Sequence, residues 1–131
     1  MYLLDTDILV GLLRNNARAL HKIKSFADKK VIVYTSPINI HEVVVGAYLS
    51  QNPEKNFEKV KVLILSLNIL AFDEQSAYLS GRLYAERMKK GKMIEQNDLF
   101  IAALALVNNL ILVTKNIKHF EGIEGLEVEE W

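Results

Sequence analysis

The sequence contains no cysteine. Thiolate nucleophiles, cysteine-ligated zinc and redox switching are therefore excluded, and the composition is that of a chain at home in a reducing cytoplasm. Long apolar runs are also missing. The longest, Leu99 to Val107, is far short of the ~20 residues that span a bilayer. The first residues lack a basic region and meet carboxylates at Asp5 and Asp7, so they do not read as a secretory signal. A soluble, cytoplasmic protein is expected. Net charge is zero, which taken as a total argues against a nucleic-acid partner, because phosphate binding is driven by Lys and Arg. There is no internal repeat, low-complexity tract or linker, and no paired-histidine motif.

What is present is a chain of 131 residues, half of them hydrophobic, enough for one domain with a core that needs no staples. Its charge is unevenly spread. Arg82, Arg87, Lys89, Lys90 and Lys92 fall in a stretch whose only acid is Glu86, while Glu121, Glu124, Glu127, Glu129 and Glu130 crowd the far end. The acidic run reads as a solvated face. Arg82, Arg87, Lys90 and Lys92 read as a local patch that steers a polyanion whatever the total charge.

The first strand and helix organise the rest. Tyr2, Leu3 and Leu4 form an apolar run that stops at Asp5, and a second run, Ile8 to Leu13, follows with helical spacing. A buried strand hands over to a helix at an acid, and in an open parallel sheet ligands bind at such carboxyl ends. Asp5, Thr6 or Asp7 could each cap the helix, but one cap needs one residue.

Ala17, Leu20, Ile23 and Ala27 then recur at helical spacing, and Val31 to Tyr34 reads as a strand. Ser36-Pro37 starts a helix that runs to about Ser50 and carries Glu42 among Val43, Val44 and Val45. Asn52-Pro53 opens another, to about Leu67, whose second half is apolar nearly all round and suited to contact with a second chain. Ile69 to Phe72 reads as a strand, and Asp73 caps a helix to Lys90 with a stripe at Ala77, Gly81, Tyr84, Ala85 and Met88. Asn97 is placed to cap the next, with Asp98 in its first turn and a buried stripe at Leu99, Ala102, Ala103, Leu106 and Val107. Leu110 to Val113 and an edge strand at Leu126 to Glu129 complete the series. The alternation predicts an α/β fold, a doubly wound, mostly parallel twisted sheet of four to five strands with helices on both faces.

Asp5, Glu42 and Asp98 all fall on the crevice side of that sheet. Two carboxylates about 4 Å apart repel by roughly 4 kcal/mol at an effective dielectric near 20, so their convergence calls for a divalent cation. Oxygen ligands select Mg²⁺ or Mn²⁺ rather than zinc.

LLDTDIL at the start, Glu42 on a helix opened by Ser36-Pro37, GKMIEQNDLFIAALAL from Gly91, LILVTKNIKHF from Leu110 and the closing GLEVEEW together resemble a PIN-domain ribonuclease. More narrowly they resemble the VapC toxins of prokaryotic toxin–antitoxin pairs. The resemblance runs from end to end with its blocks in order. It implies a PIN-like fold over residues 1–131 and a Mg²⁺- or Mn²⁺-dependent endoribonuclease in which Asp5, Glu42 and Asp98 hold the metal. It also implies a VapB-like antitoxin as inhibitor and a homodimer. The family's fourth acid falls where this chain has Asn116, which can ligate through its carbonyl but supplies no charge.

Metal-activated water would then attack the phosphodiester, with Thr6 and Thr114 orienting carboxylates or water, and Asp7 capping its helix. His21 reads as solvated, His41 points about 100° away from Glu42, and His119 reads as having no catalytic part. Two other readings stand beside this one. A receiver-type signalling domain would take a phosphoryl group on Asp73 but leaves Glu42 and Asp98 unexplained. A non-catalytic PIN-like module would bind RNA or protein without cutting.

Overall fold

The computed structural model describes residues 1–131. In chain order it contains β1 (Tyr2–Leu4), α1 (Thr6–Leu13), α2 (Ala17–Asp28), β2 (Val33–Thr35), α3 (Pro37–Tyr48), α4 (Pro53–Leu65) and β3 (Asn68–Ile69). Then follow α5 (Glu74–Lys89), α6 (Gln96–Val107), β4 (Ile111–Thr114), a 3₁₀ turn at Ile117–Phe120, and β5 (Val128–Glu130). The five strands form one sheet in the order β3-β2-β1-β4-β5, parallel at every pairing. No helix is long and apolar enough to cross a membrane.

Strand alternation divides the interior into two cores. Leu3 and Leu112 point to one face, where they meet Leu83, Leu99, Ile101 and Leu104 from α5 and α6. Leu4 and Val113 point to the other, against Ile8, Leu9, Val43 and Val60 from α1, α3 and α4. Successive strand residues face opposite sides of a sheet, so an unbroken apolar triplet at β1 is what a strand covered on both faces requires.

β1 pairs with β2 on one side and β4 on the other. The chain leaves β1 toward β2 and β3, then crosses back over β1 to form β4. The carboxyl ends of β1 and β4 therefore flank a topological switch point, the place where such sheets open a crevice.

Several elements differ from their sequence reading. On α2 the buried residues are Ala19 and Phe26, with Phe26 stacked on Tyr2 at 4.5 Å between ring centroids; Leu20 is exposed. The aromatic contact rotates the helix off the stripe through Ala17, Leu20 and Ala27. On α5, Leu79 and Leu83 pack inward, leaving Tyr84 and Met88 of the expected stripe in solvent. The strand read at Ile69 to Phe72 shortens to Asn68–Ile69, since after Leu70, whose N–H still donates to the Thr35 carbonyl, the chain leaves the sheet for the Asp73 cap. Asn97 lies inside α6, whose cap is Glu95. That helix is buried nearly all round, including Ile101, Leu104 and Ala105, because it lies between the sheet and α5.

Candidate active site

Asp5 follows directly on β1. Its N–H donates to the Val113 carbonyl at 3.0 Å, which extends the sheet by one bond and plants the side chain at the switch point. One carboxylate oxygen accepts the Thr6 N–H at 2.8 Å, capping α1. The other accepts the Thr114 hydroxyl at 2.7 Å from the end of β4. Asp5 is thus both helix cap and crevice acid, and it is 7% exposed.

Glu42 lies on α3 and turns inward from its valine neighbours: Thr6 Oγ1 donates to its Oε1 at 2.7 Å. Asn39, one turn earlier and fully buried, offers its amide to Thr6 Oγ1 at 3.1 Å and to Asp5 Oδ1 at 3.3 Å. Ser36, the α3 cap, in turn donates to the Asn39 carbonyl. A continuous chain Ser36, Asn39, Thr6, Glu42 and Asp5 therefore ties α3 to the β1–α1 junction. Asn39 was not singled out in the sequence. Its only signal is its place three residues before Glu42 on a helix that opens at Ser36.

Asp98 stands in the first turn of α6. His119, on the 3₁₀ turn, brings Nδ1 to 3.2 Å from Asp98 Oδ2. The histidine read as a bystander is thus the partner of a crevice acid, a contact between segments too far apart in sequence to be anticipated.

Asp7 does not cap α1. Its Oδ2 accepts the Lys115 N–H at 2.8 Å and the Asn116 amide at 3.2 Å, and its Oδ1 is buried without a partner. It holds the loop after β4 in place, with Asn116 N–H donating to Thr114 Oγ1 at 3.0 Å.

The electrostatics follow from this burial. Desolvation raises the Asp5 carboxyl to about 6, with the charges of Asp7 and Asp98 adding and the bonds from Thr114 and Thr6 opposing. Burial likewise raises Asp7, against the Lys115 N–H. Asp98 is raised by burial, pulled back by His119, and pushed up again by Glu95 and Glu42. Asp5 therefore feels the charge of Asp98, and Asp98 that of Glu42, across the crevice. The close clustering expected from the sequence is not found: no three acidic or imidazole side chains converge tightly enough to surround one ion. Each acid is held by its own donor, Thr114 for Asp5, Thr6 for Glu42 and His119 for Asp98, and these donors stand on different elements.

Asp73 accepts from the Ser76 N–H at 2.9 Å and hydroxyl at 2.8 Å, which hold its carboxyl below the usual range. It caps α5 after the edge strand β3 and not at the switch point between β1 and β4, where the receiver reading has no phosphoacceptor. Arg82, Arg87, Lys90 and Lys92 line a separate cleft between α5 and the segment from Lys118 to Glu124.

The PIN domain family model matches residues 2–125. A protein named Ribonuclease VapC2 from Haemophilus influenzae is 34% identical over 99% of this chain and 97% of its own length. The tRNA(fMet)-specific endonuclease VapC of Salmonella typhimurium is 30% identical over 99% of this chain and 97% of its own. Among solved structures, VapBC2 from Rickettsia felis, bound to a DNA fragment from their promoter, superposes with a TM-score of 0.91 at 32% identity, covering 99% and 98% of the two chains. With its sheet order, its crevice acids and these end-to-end likenesses, the chain belongs to the PIN domain family and, within it, to the VapC ribonucleases.

Proposed function

We propose that this protein is an endoribonuclease toxin that hydrolyses RNA phosphodiester bonds with a Mg²⁺ or Mn²⁺ ion held by Asp5, Glu42 and Asp98, and that a VapB-like antitoxin inhibits it. The observation that carries the reading is the switch point itself, where Thr6 and Asn39 tie Asp5 to Glu42 of α3 in one bonded network and Asp98 of α6 stands within electrostatic reach of both acids. The relatives named as ribonucleases and the VapBC complexes among the structural neighbours support the activity and the partner.

The donor chemistry fits a hard divalent cation. All candidate ligands are oxygens, and raised carboxyl pKa values mark negative charge that burial leaves under-compensated. The unpartnered Asp7 Oδ1 adds to that deficit. When bound, such an ion supplies an acidified water and stabilises charge on the phosphate.

The chain's own residues do the positioning. Thr114 and Thr6 fix the orientations of Asp5 and Glu42, Asn39 links the two, and His119 steadies Asp98. Asn116 offers a carbonyl without charge, so the negative charge that an ion would meet comes from Asp5, Glu42 and Asp98, whose side chains would have to draw closer together to hold it. A homodimer is proposed through apolar side chains left in solvent on α4, Val62 at 68% and Leu65 at 87% exposure.

The test is cleavage of an RNA substrate by one preparation with Mn²⁺ and with EDTA, alongside Asp98→Asn. Cleavage that requires Mn²⁺ and is lost in the variant is expected. Equal cleavage by the variant overturns the assignment.

A further inference from the structure

The cleft beside α5 has a volume of about 650 Å³ and is open to solvent. Five cationic side chains line it, Arg82, Arg87, Lys90, Lys92 and Lys118. None belongs to the acid junction. Lys90, Lys92 and Lys118 have no carboxylate within ion-pair distance, Arg82 pairs with Glu86 at 3.6 Å on the surface, and Arg87 is spent in part on the Glu121 carbonyl. Glu86, Glu121 and Glu124 share the lining, so cations outnumber acids five to three.

Arrangement decides what such a cleft suits. A small anion needs donors converging on a point. Here Arg82 to Lys90 run along α5 for about 12 Å at 1.5 Å per residue, a distance over which a stacked strand presents roughly three to four phosphates at 3.4 Å spacing. No aromatic side chain lines the cleft, so bases have nothing to stack on and contacts fall on the backbone, independent of sequence. Two segments of the chain lead from the cleft to Asp98. Lys118 directly precedes His119, which touches Asp98, and Lys92 lies in the segment leading into α6, whose first turn carries Asp98.

We infer that this cleft is a phosphate-backbone exosite that holds single-stranded RNA beside the catalytic crevice and delivers it to Asp98. Naming the polyanion as the substrate rests on the nuclease reading; the cleft's affinity for RNA does not.

Binding is measured by fluorescence anisotropy with a labelled single-stranded RNA of ~20 nucleotides, in EDTA so that no cleavage intervenes, over a range of salt. The combined variant Lys90→Ala/Lys92→Ala/Lys118→Ala alters only exposed side chains and is checked for folding by circular dichroism. It is expected to bind at least ~10-fold more weakly, with a salt slope smaller by about 2, three phosphates at ~0.7 each. Lys24→Ala/Lys29→Ala/Lys30→Ala, with the same charge change on and after α2, is expected to stay within about twofold, because non-local charge acts weakly through salt. Glu121→Gln/Glu124→Gln is expected to tighten binding. Equal losses in both lysine triples, or an unchanged slope in the first, overturns the exosite; so does tighter binding of a polyglutamate peptide than of RNA in the same cleft. Wild-type protein that binds RNA through this cleft but never cleaves it removes the nuclease reading and leaves the exosite. Cleavage whose KM the first triple does not raise removes the exosite and leaves the nuclease.

Discussion

Thr6 Oγ1 donates to Glu42 Oε1 at 2.7 Å, joining the first turn of α1 to the middle of α3. Residues that orient a ligating carboxylate are typically worth 10–100-fold in metal affinity or activity. Thr6→Val keeps the shape and removes the donor. It is expected to lower kcat/KM for RNA cleavage by roughly 10-fold or more, while Thr6→Ser, which keeps the hydroxyl, retains most of it. Matched kinetics of the two variants check this, and equal losses would show that only the side chain's bulk matters.

Asp5 carries a pH signature. Burial raises its carboxyl from 3.8 to about 6, so between those values the folded state holds the proton more tightly than the unfolded chain. Stability without divalent cation then falls as pH rises through that window and levels above it. A shift of about two units corresponds to roughly 3 kcal/mol. Asp5→Asn is expected to be more stable than the parent at pH 7 by about 1–3 kcal/mol, with the difference shrinking toward pH 4. Urea unfolding in EDTA across this range measures it. A variant no more stable than the parent at pH 7 contradicts the assignment of buried strain to this group.

A cation that binds only the folded protein stabilises it by ~2.7 kcal/mol at a hundred times its dissociation constant, several degrees in Tm for a domain of this size. Mn²⁺ is expected to raise the melting temperature of the parent by that amount and to leave Glu42→Gln nearly unmoved. An identical shift in both proteins would place the ion elsewhere.

Two helical glycines, Gly11 on α1 and Gly46 on α3, answer differently to an added side chain. A Cβ at Gly11 would stand 2.8 Å from the Trp131 ring and 3.2 Å from Ala19, whereas one at Gly46 meets nothing within 4 Å. Gly11→Ala is expected to destabilise by about 1–2 kcal/mol, overpacking outweighing the helix gain of up to ~1 kcal/mol. Gly46→Ala keeps that gain and is expected to stabilise by about 0.5–1 kcal/mol. Paired thermal melts give both signs in one experiment.

The apolar second half of α4 separates into two populations. Leu63 packs against the core, while Leu65 is 87% exposed. Leu65→Lys is expected to stay folded and to convert a dimer to a monomer by sedimentation, whereas Leu63→Lys is expected to lose the fold. A Leu65→Lys protein of unchanged solution mass would move the dimer contact off this helix, with the exposed Tyr84 and Met88 of α5 the next surface to test.

Local chemistry made much of this protein legible. The triplet at β1, the Ser36-Pro37 start and the Asp73 cap each state their element in a few neighbouring residues, and the structure shows all three. Helix faces were less readable where apolar residues exceed one stripe. On α5 the Ala77 to Met88 series and the Leu79 and Leu83 series are both regular, and only the partner helix α6 selects between them.

By itself, the sequence determined the alternation of strands and helices and the placing of Asp5 and Asp98 at the ends of their elements, because these depend on residue type and short-range spacing. Tertiary structure alone decided that Asn39 bridges Thr6 and Asp5, that Asp7 braces the loop after β4, and that His119 meets Asp98. Those bonds join segments whose proximity is set by the crossing of β4 back over β1, and a side chain of several rotamers acquires one direction only when its distant donor or acceptor is in place.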